Sequence, residues 1–316
     1  MYIAQVYKVL HDWWRYIIGT ILVITGVFIF SIPHVVAIVM KGDADFSRLS
    51  DIDYLMSLFE PNLNFVFLLL PFLGGLIALF FAIRLLHGQT ITSLTTARPK
   101  IDWKRIWFAF FFWGIVSVGL AFIDILGNPE DYKWNFDIKS FAILAVIAIV
   151  LVPIQTSCEE YLFRGYLMQG IGVLVKNKWV PLLITSAVFG LLHISNPEVD
   201  KLGPIIMIYY IGTGLFLGII TLMDDGLELA IGFHAANNLF TALLVTADWT
   251  AFQTHSIYKD LSDPSVMGFT EIIIPVFVIF PILILIFAKK YKWNNWYERL
   301  LGKVEKPLED NYKVLD

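Results

Sequence analysis

The sequence is poor in cysteine and in charged side chains. Cys158 is the single cysteine among 316 residues, which excludes an intramolecular disulfide framework and a zinc centre built from cysteine thiolates. Asp, Glu, Lys and Arg together make up only 16% of the residues, whereas hydrophobic residues make up 58%. Because apolar runs near bilayer length also recur from end to end, this composition predicts an all-α integral membrane protein.

The sequence also lacks internal repeats, low-complexity tracts and any break in composition that would mark a second domain. It therefore predicts a single integral membrane domain over residues 1–316, with a core of polar motifs at about 140–246 and a polar C-terminal tail at 289–316. The first apolar run is too long for a signal-peptide core and has no small-residue cleavage site, so we expect it to be retained.

The apolar runs predict a polytopic bundle of about eight transmembrane helices. Their expected positions are 17–40, 63–86, 106–126, a fourth run from about 140, then 179–193, 203–223, 227–246 and 271–288. With an even number of spans and both termini cytoplasmic, most of the 23 basic residues fall on the inner side, as the positive-inside rule requires. We therefore expect a multi-pass protein of the plasma (cell) membrane with both termini in the cytoplasm.

A cluster of ionisable residues continues the fourth run without a turn signal. It contains Glu159, Glu160 and Arg164, and ionisable side chains at membrane depth are costly enough to indicate a catalytic or transport site. Glu160 and Arg164 are four residues apart and share a helix face, whereas Glu159 points about 100° away from Glu160. The spacing predicts a structural Glu160–Arg164 pair and leaves Glu159 free for chemistry.

Two further polar motifs interrupt the later spans. His193 lies near the end of the fifth, four residues after Phe189, and His234 and Asn238 lie one helical turn apart in the seventh. A carboxylate, two imidazoles and a carboxamide, all supplied by spans, are the parts of a hydrolytic site. We expect Phe189 to be a packing residue that shapes this site.

These three motifs resemble those of the CPBP intramembrane proteases, which include the endopeptidases that process prenylated CAAX proteins. The family patterns are Glu-Glu-x-x-x-Arg, Phe-x-x-x-His and His-x-x-x-Asn/Asp, and the chain has all three in that order within roughly residues 141–244. The resemblance implies an intramembrane protease with catalytic residues Glu159, His193, His234 and Asn238 and supporting residues Glu160, Arg164 and Phe189.

The expected mechanism is attack by an activated water on a peptide bond of a hydrophobic, lipidated or membrane-anchored peptide. Glu159 would be the general base, His193 would orient the water, and His234 and Asn238 would stabilise the oxyanion. Glu159, His193 and His234 are also candidate Zn²⁺ ligands. No His-Glu-x-x-His occurs in the chain, and a metal-free glutamate mechanism is equally defensible.

Two other functions remain open at this stage. The same scaffold could be a non-proteolytic membrane regulator or an immunity-type protein. Loss of motif residues would favour this alternative, but the sequence has lost none of them. A transporter could also bury carboxylates and histidines, but the inverted repeats typical of transporters are not found. We expect the lipid bilayer and a peptide substrate as partners and no nucleic acid, and the oligomeric state is not indicated.

Overall fold

The computed structural model describes residues 1–49, 52–264 and 268–306 of the chain, so the last part of the predicted C-terminal tail lies outside the described residues. The α-helices, in chain order, are α1 Trp13–Lys41, α2 Ile52–Ser57, α3 Pro61–His87, α4 Ile91–Thr95, α5 Trp103–Gly127, α6 Ile138–Glu160, α7 Met168–Val175, α8 Trp179–Leu191, α9 Pro197–Leu202, α10 Met207–Asp224, α11 Glu228–Leu244, α12 Phe269–Ile274, α13 Phe280–Tyr291 and α14 Trp296–Leu300. Two π-helical segments, Tyr161–Leu167 and Pro275–Ile279, join α6 to α7 and α12 to α13.

The predicted helical membrane bundle is confirmed, and helices stand where all eight apolar runs predicted them. In the described part of the chain, six are long and apolar enough to cross a bilayer: Trp13–Lys41, Pro61–His87, Trp103–Gly127, Ile138–Val175, Pro204–Asp224 and Phe269–Tyr291. The remaining two, α8 with 13 residues and α11 with 17, are about 20 and 26 Å long, shorter than a hydrocarbon layer of about 30 Å. Helix α11 packs against α5, α6 and α10 and is therefore enclosed by protein.

Polar residues at the helix ends explain where the long helices begin and stop. Glu60 precedes α3 and accepts hydrogen bonds from the backbone amides of Asn62 and Leu63, while Gly88 follows it with a φ of 64°. Asp137 precedes α6 and accepts from the amide of Ser140. These caps satisfy backbone groups that have no partner within the helix.

Small residues let the helices approach closely. A Cβ on Gly26 of α1 would lie 2.5 Å from the carbonyl oxygen of Gly74 in α3. A Cβ on Gly214 of α10 would lie 2.7 Å from the carbonyl oxygen of Ser186 in α8, and one on Gly218 would overlap the side chain of Leu182. Close approach allows van der Waals contact, which helps to hold membrane helices together where the hydrophobic effect does not act between them.

The segments between helices fall into two groups at opposite ends of the bundle. At one end the amide of Leu227 donates to the carbonyl of Thr95, and the amide of Val304 donates to that of Lys176. The N-terminal 3₁₀ helix Ile3–Lys8 packs against α7 at this end. The described N- and C-terminal segments therefore lie on one side, as an even number of crossings requires.

A small sheet gathers loops at the other end. Its strands, β1 Tyr132–Trp134, β2 Val245–Thr246 and β3 Tyr258–Asp260, run in the order β1-β3-β2. Strand β3 pairs antiparallel with β1 and parallel with β2. The sheet connects the loop before α6 with the loop after α11. Helices α6 and α11 carry most of the candidate site.

Candidate active site

The acidic motif lies at the junction between α6 and the π-helical segment. Glu159 and Glu160 are the last two residues of α6, and Arg164 lies within the following π-helical turn. Such turns are rare and often occur at functional sites. Nη1 of Arg164 donates to Oε1 of Glu160 at 2.9 Å, and both side chains are fully buried. The pair predicted from the spacing is present.

Arg164 makes two further contacts that its spacing from Glu160 does not predict. Its Nη2 donates to the carbonyl oxygen of Gly214 at 3.1 Å, and its guanidinium carbon lies 4.2 Å from the centre of the Phe189 ring. A guanidinium over an aromatic face is favoured when both are desolvated. Arg164 therefore joins α10 and Phe189 to the acidic motif.

His234, on α11, lies between the two glutamates. Its Nδ1 is 2.8 Å from Oε1 of Glu160, and its Nε2 is 3.5 Å from Oε2 of Glu159. A carboxylate can only accept, so Nδ1 carries the proton of the shorter contact. The longer one exceeds ordinary hydrogen-bond length, and Oε2 of Glu159 is buried without a hydrogen-bond partner in the described residues. Glu159 thus holds an acceptor oxygen beside an imidazole nitrogen.

Asn238 lies one turn beyond His234 and is held by two other carboxamides. Its Nδ2 donates to Oε1 of Gln155 at 3.0 Å, and its Oδ1 accepts from Nδ2 of Asn237 at 3.1 Å. The sequence analysis did not select Gln155 or Asn237. A signal was available, because Gln155 precedes Glu159 by four residues as His234 precedes Asn238. Two antiparallel helices that meet at Glu159 and His234 must meet again one turn away, about 6 Å along their axes.

His193 lies at the border of this cluster, in the turn after α8 ends at Leu191. Its Nδ1 is 2.8 Å from the carbonyl oxygen of Phe189, and its ring stacks on Tyr210 with centroids 4.5 Å apart. The Phe189 ring is 4.9 Å from His193 and 6.0 Å from His234, centroid to centroid. Phe189 therefore lies between the two imidazoles.

Glu198, in α9, is a second carboxylate near His193 that sequence reasoning missed. Its Oε1 accepts from the backbone amide of Ala251 at 2.8 Å. Burial raises the pKa of Glu198, and the amide of Ala251 and the hydroxyl of Tyr210 oppose that rise. Because the residue lies in the first turn of a helix of only six residues, no periodic pattern marked it as half-buried.

The three candidate zinc ligands do not converge. Among the described residues, no group of three or more His, Cys, Asp or Glu side chains could hold a metal ion. Both ring nitrogens of His234 face glutamate oxygens, and Nδ1 of His193 faces a backbone carbonyl. This arrangement does not fit the three-ligand zinc centre that the sequence left open.

Comparisons with known proteins identify the family of the chain. A family model described as type II CAAX prenyl endopeptidase Rce1-like matches residues 138–240, the part of the chain that carries all three motifs. The uncharacterized protein YyaK of Bacillus subtilis (strain 168) is 30% identical over 235 residues, which cover 74% of this chain and 78% of that protein. No solved structure matches. Since the likeness covers most of both chains and the family model covers the motifs in order, the chain belongs to the CPBP family of intramembrane proteases, whose members include the type II CAAX prenyl endopeptidases.

Proposed function

We propose that the protein is an intramembrane endopeptidase in which Glu159 activates water to cleave a hydrophobic, lipidated or membrane-anchored peptide. The observation that carries the proposal is the buried Oε2 of Glu159, which has no hydrogen-bond partner in the described residues and lies 3.5 Å from Nε2 of His234. Carboxylates buried without partners are costly. An oxygen kept in this condition beside an imidazole is suited to accept a proton from a water molecule.

The proposed reaction has two steps. Glu159 accepts a proton from water as the water oxygen bonds to the carbonyl carbon of the scissile peptide. The oxyanion accepts hydrogen bonds from His234 and from the amide of Asn238, a type of interaction whose loss typically slows a reaction about 10²–10³-fold. When the C–N bond breaks, the proton on Glu159 passes to the leaving nitrogen.

His234 is suited to oxyanion binding by its two contacts. Glu160 holds the Nδ1 side of the ring, so Nε2 faces Glu159 and the space in which the substrate carbonyl would lie. Donation from Nε2 requires a proton on both ring nitrogens of His234, and the carboxylate of Glu160 pairs with the cation that results. Buried charges are tolerated when they are paired in this way.

His193 is proposed to act from the edge of the site. The carbonyl oxygen of Phe189 accepts a hydrogen bond from Nδ1–H, so the neutral ring has Nε2 as its acceptor. That nitrogen can hold the attacking water in place, while stacking on Tyr210 fixes the plane of the ring.

The test compares membranes from cells that produce the wild-type protein or Glu159→Gln. Mass spectrometry should reveal membrane peptides that accumulate only with the variant, and purified wild-type protein in nanodiscs should cleave those peptides. Cys158→Ser is the matched control, because Cys158 is the adjacent buried residue and has no role in the mechanism. Equal peptide profiles would favour the non-proteolytic scaffold instead, and cleavage by purified Glu159→Gln would exclude Glu159 as the general base.

Chelation provides a separate test of the metal-free mechanism. Cleavage should survive strong chelation followed by removal of the chelator. If chelation abolishes cleavage and Zn²⁺ alone restores it, the metal-free mechanism is wrong.

We also propose that both termini face the cytoplasm of a cell whose plasma membrane holds the protein. The charge asymmetry of the loops supports this orientation. Cysteines introduced at 41–62 and 247–264 should react with an impermeant maleimide added to intact cells, and cysteines at 98–105 should react only after lysis. Labelling of the first two loops only after lysis would reverse the orientation.

A further inference from the structure

Trp113 fixes the direction of a series of hydrogen bonds between three side-chain amides beside the site. These amides belong to Asn237, Asn238 and Gln155. Nε1 of Trp113, on α5, donates to Oδ1 of Asn237 at 3.1 Å. An indole N–H can only donate, so the amide of Asn237 must turn its oxygen to Trp113. The opposite orientation would set two donors against each other.

This orientation passes along the chain of amides. With its oxygen turned to Trp113, Asn237 offers Nδ2 to Oδ1 of Asn238, and Asn238 offers Nδ2 to Oε1 of Gln155. Each bond has one possible direction once the first is fixed. The oxygens of all three amides are engaged. One hydrogen remains on Nδ2 of Asn237, one on Nδ2 of Asn238 and both on Nε2 of Gln155.

The remaining hydrogens of Asn238 and Gln155 lie next to the proposed reaction centre. Gln155 is one turn before Glu159 on α6, and Asn238 is one turn after His234 on α11. Gln155 and Trp113 are both buried, whereas Asn238 is only half-buried. A substrate carbonyl oxygen near His234 would therefore meet an N–H of Asn238 and not its oxygen.

We infer that Trp113, Asn237 and Gln155 are positioning residues that hold Asn238 with an N–H directed toward the oxyanion. The inference rests on the proposed proteolytic function and adds to it the residues that orient one of its hydrogen-bond donors. If Asn238 were free to turn its amide over, half of its orientations would present an oxygen to an oxyanion, which is repulsive.

Kinetics of the full chain in nanodiscs test this inference, with a farnesylated, fluorescence-quenched CAAX peptide and an unprenylated hydrophobic quenched peptide as probes. Trp113→Phe removes the indole N–H and keeps a ring against Phe233, whose ring centre lies 4.7 Å away. Its control is Trp107→Phe, on the exposed side of the same helix. Gln155→Met removes the acceptor of Asn238, and its control is Gln169→Met, a buried glutamine whose partner is Gln89.

We expect Trp113→Phe and Gln155→Met each to lower kcat about 10-fold with little change in KM, because misplacing a catalytic group by a small distance has effects of at least this size. The controls should keep the wild-type kcat. In an Asn238→Ala background, Trp113→Phe should cause no further loss, since the effect passes through Asn238.

Two results would overturn the inference. One is an equal loss of kcat when Trp113→Phe is added to Asn238→Ala, which would indicate a general structural role. The other is a wild-type kcat in folded Gln155→Met. If Trp113→Phe does not fold, Gln155→Met alone still decides. Failure of the proposed function itself would look different, because wild type would then leave both probes intact or Glu159→Gln would cleave them.

Discussion

Two buried clusters of acids and arginines in this protein have similar composition but differ in how completely their polar atoms are hydrogen-bonded. The first is the candidate site, with Glu159, Glu160, Arg164 and His234. The second, the inner ionic cluster, consists of Arg98, Arg105, Asp224 and Glu228, at the end of the bundle where the described terminal segments lie. In both clusters at least one carboxylate is completely removed from solvent.

The clusters differ in how fully their polar atoms are used. In the inner ionic cluster all four carboxylate oxygens of Asp224 and Glu228 accept hydrogen bonds, and the donors include Trp293 and the amide of Asp102. In the candidate site, Oε2 of Glu159, Oε2 of Glu160 and Nε of Arg164 are buried without partners among the described residues. A saturated network stabilises a structure, whereas unpaired atoms in a membrane interior are tolerated where they serve a reaction.

Glu160→Gln should have the largest combined effect on stability and activity, because Glu160 contacts both its structural partner Arg164 and the proposed oxyanion donor His234. One oxygen of Glu160 accepts from Arg164 and from His234, so loss of its charge leaves a buried guanidinium unbalanced. Breaking a buried pair costs about 3–5 kcal/mol. We expect a lower folded yield and lower thermal stability in nanodiscs, together with slower cleavage per folded molecule.

The contribution of His234 to that result can be separated. His234→Ala should slow cleavage without removing the partner of Arg164, and it should therefore lose less stability than Glu160→Gln. Equal stability of Glu160→Gln and wild type would show that the Glu160–Arg164 pair contributes little to folding.

Glu159→Gln should sharpen the comparison by changing activity alone. Removal of a general base typically slows a reaction about 10²–10⁴-fold, and Gln keeps the shape of the side chain. Because Oε2 of Glu159 has no hydrogen-bond partner among the described residues, the unfolding midpoint should stay the same or rise. A large drop in the midpoint would mean that Glu159 is structural, like Asp224.

Asp224→Asn should give the reverse pattern. Asp224 accepts from Arg98 and Arg105, so its neutral replacement leaves two arginines with one anion fewer. Both arginines are partly exposed, at 25% and 19%, so we expect a loss of about 3 kcal/mol, the lower end of the range for a buried pair. The loss should appear as a lower unfolding midpoint with an unchanged kcat per folded molecule.

The sequence predicted those parts of the site that lie within one helix. Spacing alone identified the Glu160–Arg164 pair and the separate direction of Glu159, and hydropathy located all eight helices. It did not predict that His234 contacts Glu160 as well as Glu159, because the register between α6 and α11 depends on tertiary packing. The π-helical turn after Glu160 was also missed, since no residue in Tyr161–Leu167 marks such a turn in advance.

The polar residues that support the site were the hardest to predict. Trp113 reads as one aromatic residue among many in α5, and only its single bond to Asn237 distinguishes it. Glu198 follows Pro197 at the start of the short helix α9, where an acidic residue is ordinarily exposed to solvent. Burial of such residues comes from loops folding over the bundle, which local sequence does not encode.

Glu198→Gln should have the smallest effect, and the size of that effect should depend on pH. Burial raises the pKa of Glu198 in the folded protein above its value in the unfolded chain, so folding is opposed where the unfolded carboxyl is ionised. At low pH the carboxyl is protonated in both states and this penalty is absent. As pH rises from the ordinary pKa of glutamate through the raised one, the wild type loses stability that the variant keeps. The midpoint of Glu198→Gln should therefore exceed that of wild type at pH 7 by about 2 °C or less and match it near pH 4. Thermal unfolding of both proteins in nanodiscs across this range measures the difference, and a variant less stable at pH 7 would show that the bond from Ala251 outweighs the cost of burial.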